Sequence, residues 1–252
     1  NVISRNLITS RMIPGKMINR RITNQMMALV RQPLSADRIS MTIDPPQDCP
    51  LCPRLVAFRQ LQQDKFPDWY NAPVHGFGAL DAKVAVVGLA PGLRGANRTG
   101  RPFTGDYAGH LLFQMMLAHG WATGTFDPDG NDDLALHGAR IINAVRCLPP
   151  QNKPLPIEIT TCRQFLEKEL ERMASIKVFL TLGQIAHVTL LDMLGLRRRD
   201  YGFCHGGEWQ LDDGRMIVSS YHCSRYNTQT KRLTEDMFND IFTRINQIID
   251  HP

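Results

Sequence analysis

The sequence predicts an α/β protein built on a largely parallel sheet, and three observations carry that prediction. Short β-branched runs alternate with longer stretches of helical spacing. Each strand-like run feeds a chemically unusual segment, as the carboxyl ends of parallel strands do in open α/β sheets. The chain's 252 residues suit one domain of ordinary size, or one domain with a small attachment.

Taken in order, residues 1–36 hold Arg5, Arg11, Lys16, Arg20, Arg21 and Arg31 and no acid. They predict a basic extension over residues 1–40, read as a transit peptide, a phosphate-binding arm or a poorly ordered tail. The folded domain is expected over 41–252. Strands are predicted at 83–88 (KVAVVG), 140–146 (RIINAVR), 177–182 (KVFLTL) and 215–219 (RMIVS). Helical spacing covers 110–119, 160–174, 184–194 and 234–249, with Met115 and Met116 read as core. Residues 125–137 are acidic, but the glutamate that completes a calcium loop is missing, so a plain surface loop is expected.

Composition excludes several classes. Apolar residues make up 43% and charged residues 21%, which is globular rather than disordered. No run approaches the roughly 20 apolar residues that cross a bilayer. Six cysteines are too sparse for a secreted disulfide scaffold, so intracellular thiol or metal chemistry and a cytoplasmic, nucleoid-associated location are expected, with organelle targeting left open. The net charge of +5 resides in the extension. Affinity for DNA must then come from local clusters such as Arg197, Arg198 and Arg199, or Lys231 and Arg232.

Cys49 and Cys52 form a CxxC, and Cys147 and Cys162 follow on separate elements. A zinc ribbon would offer two close pairs, whereas this spacing staples distant segments and suits a four-thiolate 4Fe-4S cluster, with zinc as the alternative. Cys204 and Cys223 are read as ordinary thiols.

Behind the first strand lies Gly88-Leu-Ala-Pro-Gly92, and the loop runs on from Gly95 to Asp106. It matches neither the dinucleotide fingerprint nor the P-loop. It offers approachable backbone at Gly88, Gly92 and Gly95, an aromatic face at Phe103 and a carboxylate at Asp106.

The stretch GLAPGLRGANRTGRPFTGD, the four-cysteine frame, NAVRC at 143–147 and the His-led loop at 222–234 together resemble the uracil-DNA glycosylase superfamily, and within it type B, or family 5. The resemblance implies a three-layer α/β/α fold, a 4Fe-4S cluster on Cys49, Cys52, Cys147 and Cys162, and hydrolysis of the bond between a deaminated base and deoxyribose in DNA. It implies that Phe103 stacks on an extruded base, Asn143 reads the pyrimidine edge, and His222 donates to the base oxygen where negative charge accumulates.

This chain departs from the better-known members at Ala90, where they carry a carboxylate or amide, and at Gly92, where they carry an aromatic residue. Asp106 then takes the water-orienting or cation-stabilising role by similarity to type B, against an alternative as a helix cap. Gly88, Ala90 and Gly92 would line the base pocket, and the small residue at 92 implies acceptance of hypoxanthine and modified pyrimidines. The His222 loop lacks the usual prolines and gains Arg225 and Tyr226 for stacking or phosphate contact, with Lys231 and Arg232 as phosphate contacts. Uracil-containing DNA is the expected partner of a monomer that needs no divalent ion. A non-catalytic iron-sulfur or zinc protein that binds damaged DNA is the competing reading, and an electron-transfer protein the third.

Overall fold

The computed structural model describes residues 43–250, so the predicted extension lies outside the described residues. After the CxxC comes helix α1 (Pro53–Lys65), with a proline in its first turn. Strand β1 (Val84–Gly88) is wholly buried and runs into the short helix α2 (Ala96–Thr99) and then α3 (Tyr107–Ala118). A small antiparallel pair, β2 (Ala122–Thr123) and β3 (Ala135–Leu136), precedes β4 (Ala139–Asn143). There follow α4 (Pro156–Arg172), β5 (Val178–Leu182), α5 (Gln184–Met193), β6 (Gly207–Gln210), β7 (Met216–Ser220), the short α6 (Arg225–Gln229) and α7 (Glu235–Asp250).

The main sheet has the order β4-β1-β5-β7-β6 and is parallel except for its edge strand β6. Because a pleated strand alternates its side chains, one sequence can face two cores. Val84, Val86, Ile141 and Leu180 pack on one side against α3 and α7, while Ala85, Ile142, Phe179 and Ile217 pack on the other against α4 and α5. The expected three-layer α/β/α arrangement is therefore present. Met115 and Met116 are core residues, at 4% and 0% exposure. Helix α7 buries Phe238, Ile241, Phe242 and Ile245 at helical spacing and starts with Glu235 and Asp236, which suit the positive end of its dipole.

Several boundaries differ from the sequence reading. The strand expected at 140–146 stops at Asn143, yet Ala144 and Val145 still donate to the carbonyls of Gly88 and Leu89, so the apolar run continues as the chain leaves the sheet. The acidic 125–137 segment is not featureless. It contains β3, and Asp132 forms a two-pronged pair with Arg101 at 2.6 Å on each oxygen, while also accepting from the amide of Asp127 at 2.7 Å. That pair ties the segment to the glycine-rich loop. Among the described residues no helix is long and apolar enough to cross a membrane.

Candidate active site and cysteine centre

The carboxyl ends of β1, β4 and β7 meet on one edge of the sheet, and the segments leaving them line a cavity of about 440 Å³. Leu89, Ala90, Gly92, Phe103, Asp106, Asn143, His222 and Arg225 all contribute to its walls. The four side chains expected to act together are thus brought together.

Asn143 is the last residue of β4 and lies in register with Gly88, the last residue of β1. It is 3% exposed, and its carboxamide has no hydrogen-bond partner among the described residues. Its polar atoms are not among the sealed, unpartnered ones, so its donor and acceptor open onto the cavity, where a ligand can take them. A β-carbon on Gly88 would collide with Asn143 Oδ1 and come within 2.9 Å of the Phe103 ring, so glycine is what lets both side chains occupy this corner.

Phe103 sits in the left-handed region at φ 55°, uncommon for a bulky residue and characteristic of functional positions held by their surroundings. Its ring lies 5.8 Å from that of His222, with 26° between the planes. His222 comes two residues after β7, and its carbonyl accepts from the Asn227 side chain at 2.8 Å, which closes the loop behind it. Burial pushes its pKa below 6.5, while the carboxylate of Asp106 pulls in the opposite direction. The imidazole is therefore neutral at pH 7, leaving it one N–H to donate.

Of the two roles that the sequence left as alternatives for Asp106, the structure shows the helix cap and leaves one oxygen free for the other. Asp106 is the N-cap of α3, with Oδ1 accepting from the Gly109 amide at 3.3 Å. Its other oxygen faces Gly92 and Gly95, where β-carbons would approach to 3.0 and 2.5 Å. One oxygen thus anchors the side chain, and the other is left on the cavity side. Gly92 accordingly makes room for Asp106 itself as well as for a ligand.

Of the residues expected to contact DNA, Arg225 lines the cavity and lies over the Tyr107 ring at 5.4 Å, whereas Tyr226, Lys231 and Arg232 are not among its lining residues: Tyr226 is 70% exposed, and Arg232 lies over the Tyr221 ring at 4.5 Å. Lys231 is exposed at φ 56°, in the connection between α6 and α7. By contrast, Arg197 and Arg199 pair with Asp200, and Arg198 pairs with Asp192, so the expected basic cluster is largely offset by acids. Tyr107, Asn152 and Ser224 also line the cavity and were missed in the sequence. Only their proximity to Asp106 and to the His222 loop could have signalled Tyr107 and Ser224. Nothing local marks Asn152, which enters from the turn after Cys147.

The four cysteines line a single small pocket together with Arg59 and Phe165, about which Leu55 and Val145 close an apolar shell. Cys49, Cys147 and Cys162 are buried, and all four are free thiols. The Arg146 amide donates to Cys162 Sγ at 3.3 Å, and Arg59 Nη1 to Cys147 Sγ at 3.7 Å. Donors aimed at sulfur suit thiolates that carry metal charge. Among the described residues, no group of three or more His, Cys, Asp and Glu side chains is arranged for a single metal ion. The two remaining cysteines behave as ordinary thiols: Cys204 is exposed, and Cys223 is buried with its Sγ donating to the Ala108 carbonyl at 3.4 Å.

Residues 75–246 match the Uracil DNA glycosylase superfamily. The chain is 42% identical to the type-5 uracil-DNA glycosylase of Thermus thermophilus, over 79% of this chain and 93% of that one. It is 37% identical to the type-5 enzyme of Mycobacterium leprae, over 77% and 88% of the two chains. With the corresponding protein of Pyrobaculum aerophilum the identity is 34%, over 78% and 87%. The fold, the cavity at the strand ends and these similarities agree: the chain belongs to the uracil DNA glycosylase superfamily, in its type-5 branch.

Proposed function

We propose that this protein excises uracil from DNA by hydrolysing the N-glycosidic bond and leaving an abasic site. The observation that carries the reading is the partnerless, buried amide of Asn143 in a cavity shared with Phe103, Asp106 and His222. A carboxamide supplies one donor and one acceptor on one edge, the complement of a uracil O4 and N3–H. Phe103 offers the extruded ring a face on which to stack.

Bond cleavage builds negative charge on the base and positive charge on the sugar. The neutral His222 would donate to the base oxygen and strengthen that bond as charge develops. The free oxygen of Asp106 would stabilise the sugar cation and orient the attacking water, since Ala90 has no group that can do so. Arg225, Tyr226, Lys231 and Arg232 would grip the strand from the rim.

The cavity's 440 Å³ and the absence of a side chain at Gly92 favour a wider substrate range, including hypoxanthine and modified pyrimidines. Cys49, Cys52, Cys147 and Cys162 would hold a 4Fe-4S cluster. The four thiols, three of them buried, and the two sulfur-directed donors support that assignment, and the cluster would cross-link α1, the segment after β4 and α4. The test is incubation with an oligonucleotide containing one uracil, followed by alkali. Strand scission at the uracil is the expected result, and tight binding without abasic sites would instead make the protein a damage-binding module.

A further inference from the structure

Beside the catalytic cavity the same glycine-rich loop forms a second recess, of about 350 Å³, lined by Phe66, Trp69, Arg94, Arg98 and Gly105. Phe66 and Trp69 stack on each other, with ring centroids 4.0 Å apart and 6° between planes. They follow α1 directly and are seated against the loop by backbone bonds. The Tyr70 amide donates to the Arg98 carbonyl and the Asn71 amide to the Asn97 carbonyl, each at 3.0 Å. A buried bond from Asn97 Nδ2 to Asn71 Oδ1 at 2.8 Å locks the two segments together.

The charges divide unevenly. Arg98 pairs with Asp129 at 2.8 Å, and the Lys65 ammonium lies 5.3 Å from the Phe66 ring centre. Asp64 and Asp68 are exposed on the same segment. Arg94 is exposed, and among the described residues its guanidinium has no hydrogen bond or ion pair. It stands two residues from Gly92, and Gly105 precedes Asp106, so one loop walls the catalytic cavity with Gly92 and Asp106 and the recess with Arg94 and Gly105.

We infer that this recess is a second DNA subsite, which takes an unpaired nucleotide flanking the extruded base. Its base stacks on the Phe66–Trp69 pair, and its phosphate meets Arg94. A π-face beside an unpaired cation is the combination by which proteins hold single-stranded nucleic acid without reading sequence. The inference rests on DNA being the substrate, and the two sites share one loop.

The test uses the full chain and a short oligothymidylate, which contains no uracil. Of the protein's three tryptophans, Trp121 is buried in the core and Trp209 is packed against His187, which leaves Trp69 to report on this recess. Quenching of the Trp69 emission on titration is expected. Read by the fluorescence anisotropy of a dye-labelled oligothymidylate, since these variants lack the reporter, Trp69→Leu should weaken binding about fivefold or more, with Trp69→Phe restoring most of it. Arg94→Gln, at an exposed and unpaired position, should lower the salt slope by about 0.7. Turnover on uracil DNA at saturation should stay unchanged in all three variants. Absence of quenching, or unaltered affinity and salt slope in Trp69→Leu and Arg94→Gln, overturns the subsite even if uracil excision is intact. Quenching in a protein that excises nothing sustains the subsite and overturns the proposed reaction alone.

Discussion

Gly88 and Asn143 end neighbouring parallel strands in register, and the space a β-carbon would need on the first is occupied by the side-chain oxygen of the second. The catalytic corner is therefore set by the sheet register and by one missing methyl group. Gly88→Ala should displace both Asn143 and Phe103 while leaving the sheet paired. A misplacement of about 1 Å at a reacting centre costs about 100-fold in rate, so a fall of that order in kcat/KM on uracil DNA is expected, with circular dichroism unchanged.

Removing the donor at the base should act on the chemical step. His222→Gln should lower the single-turnover excision rate by roughly 100-fold, because a donor aimed at a developing charge contributes that much when preorganised. Affinity for DNA that lacks uracil should be unaffected, since His222 lies within the cavity and not on its rim.

Acid should destabilise the fold in two stages. Burial lowers the pKa of His187, His205 and His222 below 6.5, so each resists protonation in the fold and accepts it readily when unfolded. Below 6.5 the unfolded chain binds more protons, and stability falls as pH drops through that value. Asp132 gives the second stage. Its pair with Arg101 lowers its pKa from 3.8 to about 2, so that pair's contribution is present above 3.8 and is lost as pH falls toward 2. Thermal midpoints should therefore decline as pH falls below 6.5, and again below about pH 4. Asp132→Asn should reduce the second decline, to which Glu158, Asp192 and Asp213 also contribute because their pKa values are lowered in the fold, and cost roughly 2 kcal/mol at neutral pH.

The cysteine centre makes a separate prediction. Cys162→Ser should abolish bound iron and inorganic sulfide together, along with the visible absorption of the protein. Zinc without sulfide in the wild-type protein would contradict the cluster. EDTA should leave the excision rate of the intact protein unchanged, because the proposed chemistry runs on Asp106, Asn143 and His222 without a divalent ion.

The sheet was largely legible because its parallel strands are buried on both faces and read as continuous β-branched runs. Edge strand β6, four residues with alternating exposure, carries no such run and was not foreseen. Helix α1 was also missed: its buried positions include Arg59 and Gln62, which do not read as an apolar face. The four central site residues were legible through their motifs. Asn152 was not, since it joins the cavity through a turn with Gln151 and Asn152 both at φ 56°, a conformation that Asn tolerates but that Gln151 does not announce. Nor could the sequence show that Asp106 both caps α3 and turns an oxygen to the cavity. The sharing depends on the bare backbones of Gly92 and Gly95.

The most direct test of the central claim is the single-turnover rate of uracil excision by Asn143→Ala beside the wild-type protein, on one duplex with one uracil. If the buried amide holds the extruded base, the wild-type protein generates abasic sites and the variant does so at least roughly 100-fold more slowly, with equal thermal stability. An Asn143→Ala protein that releases uracil at the wild-type rate would contradict the account.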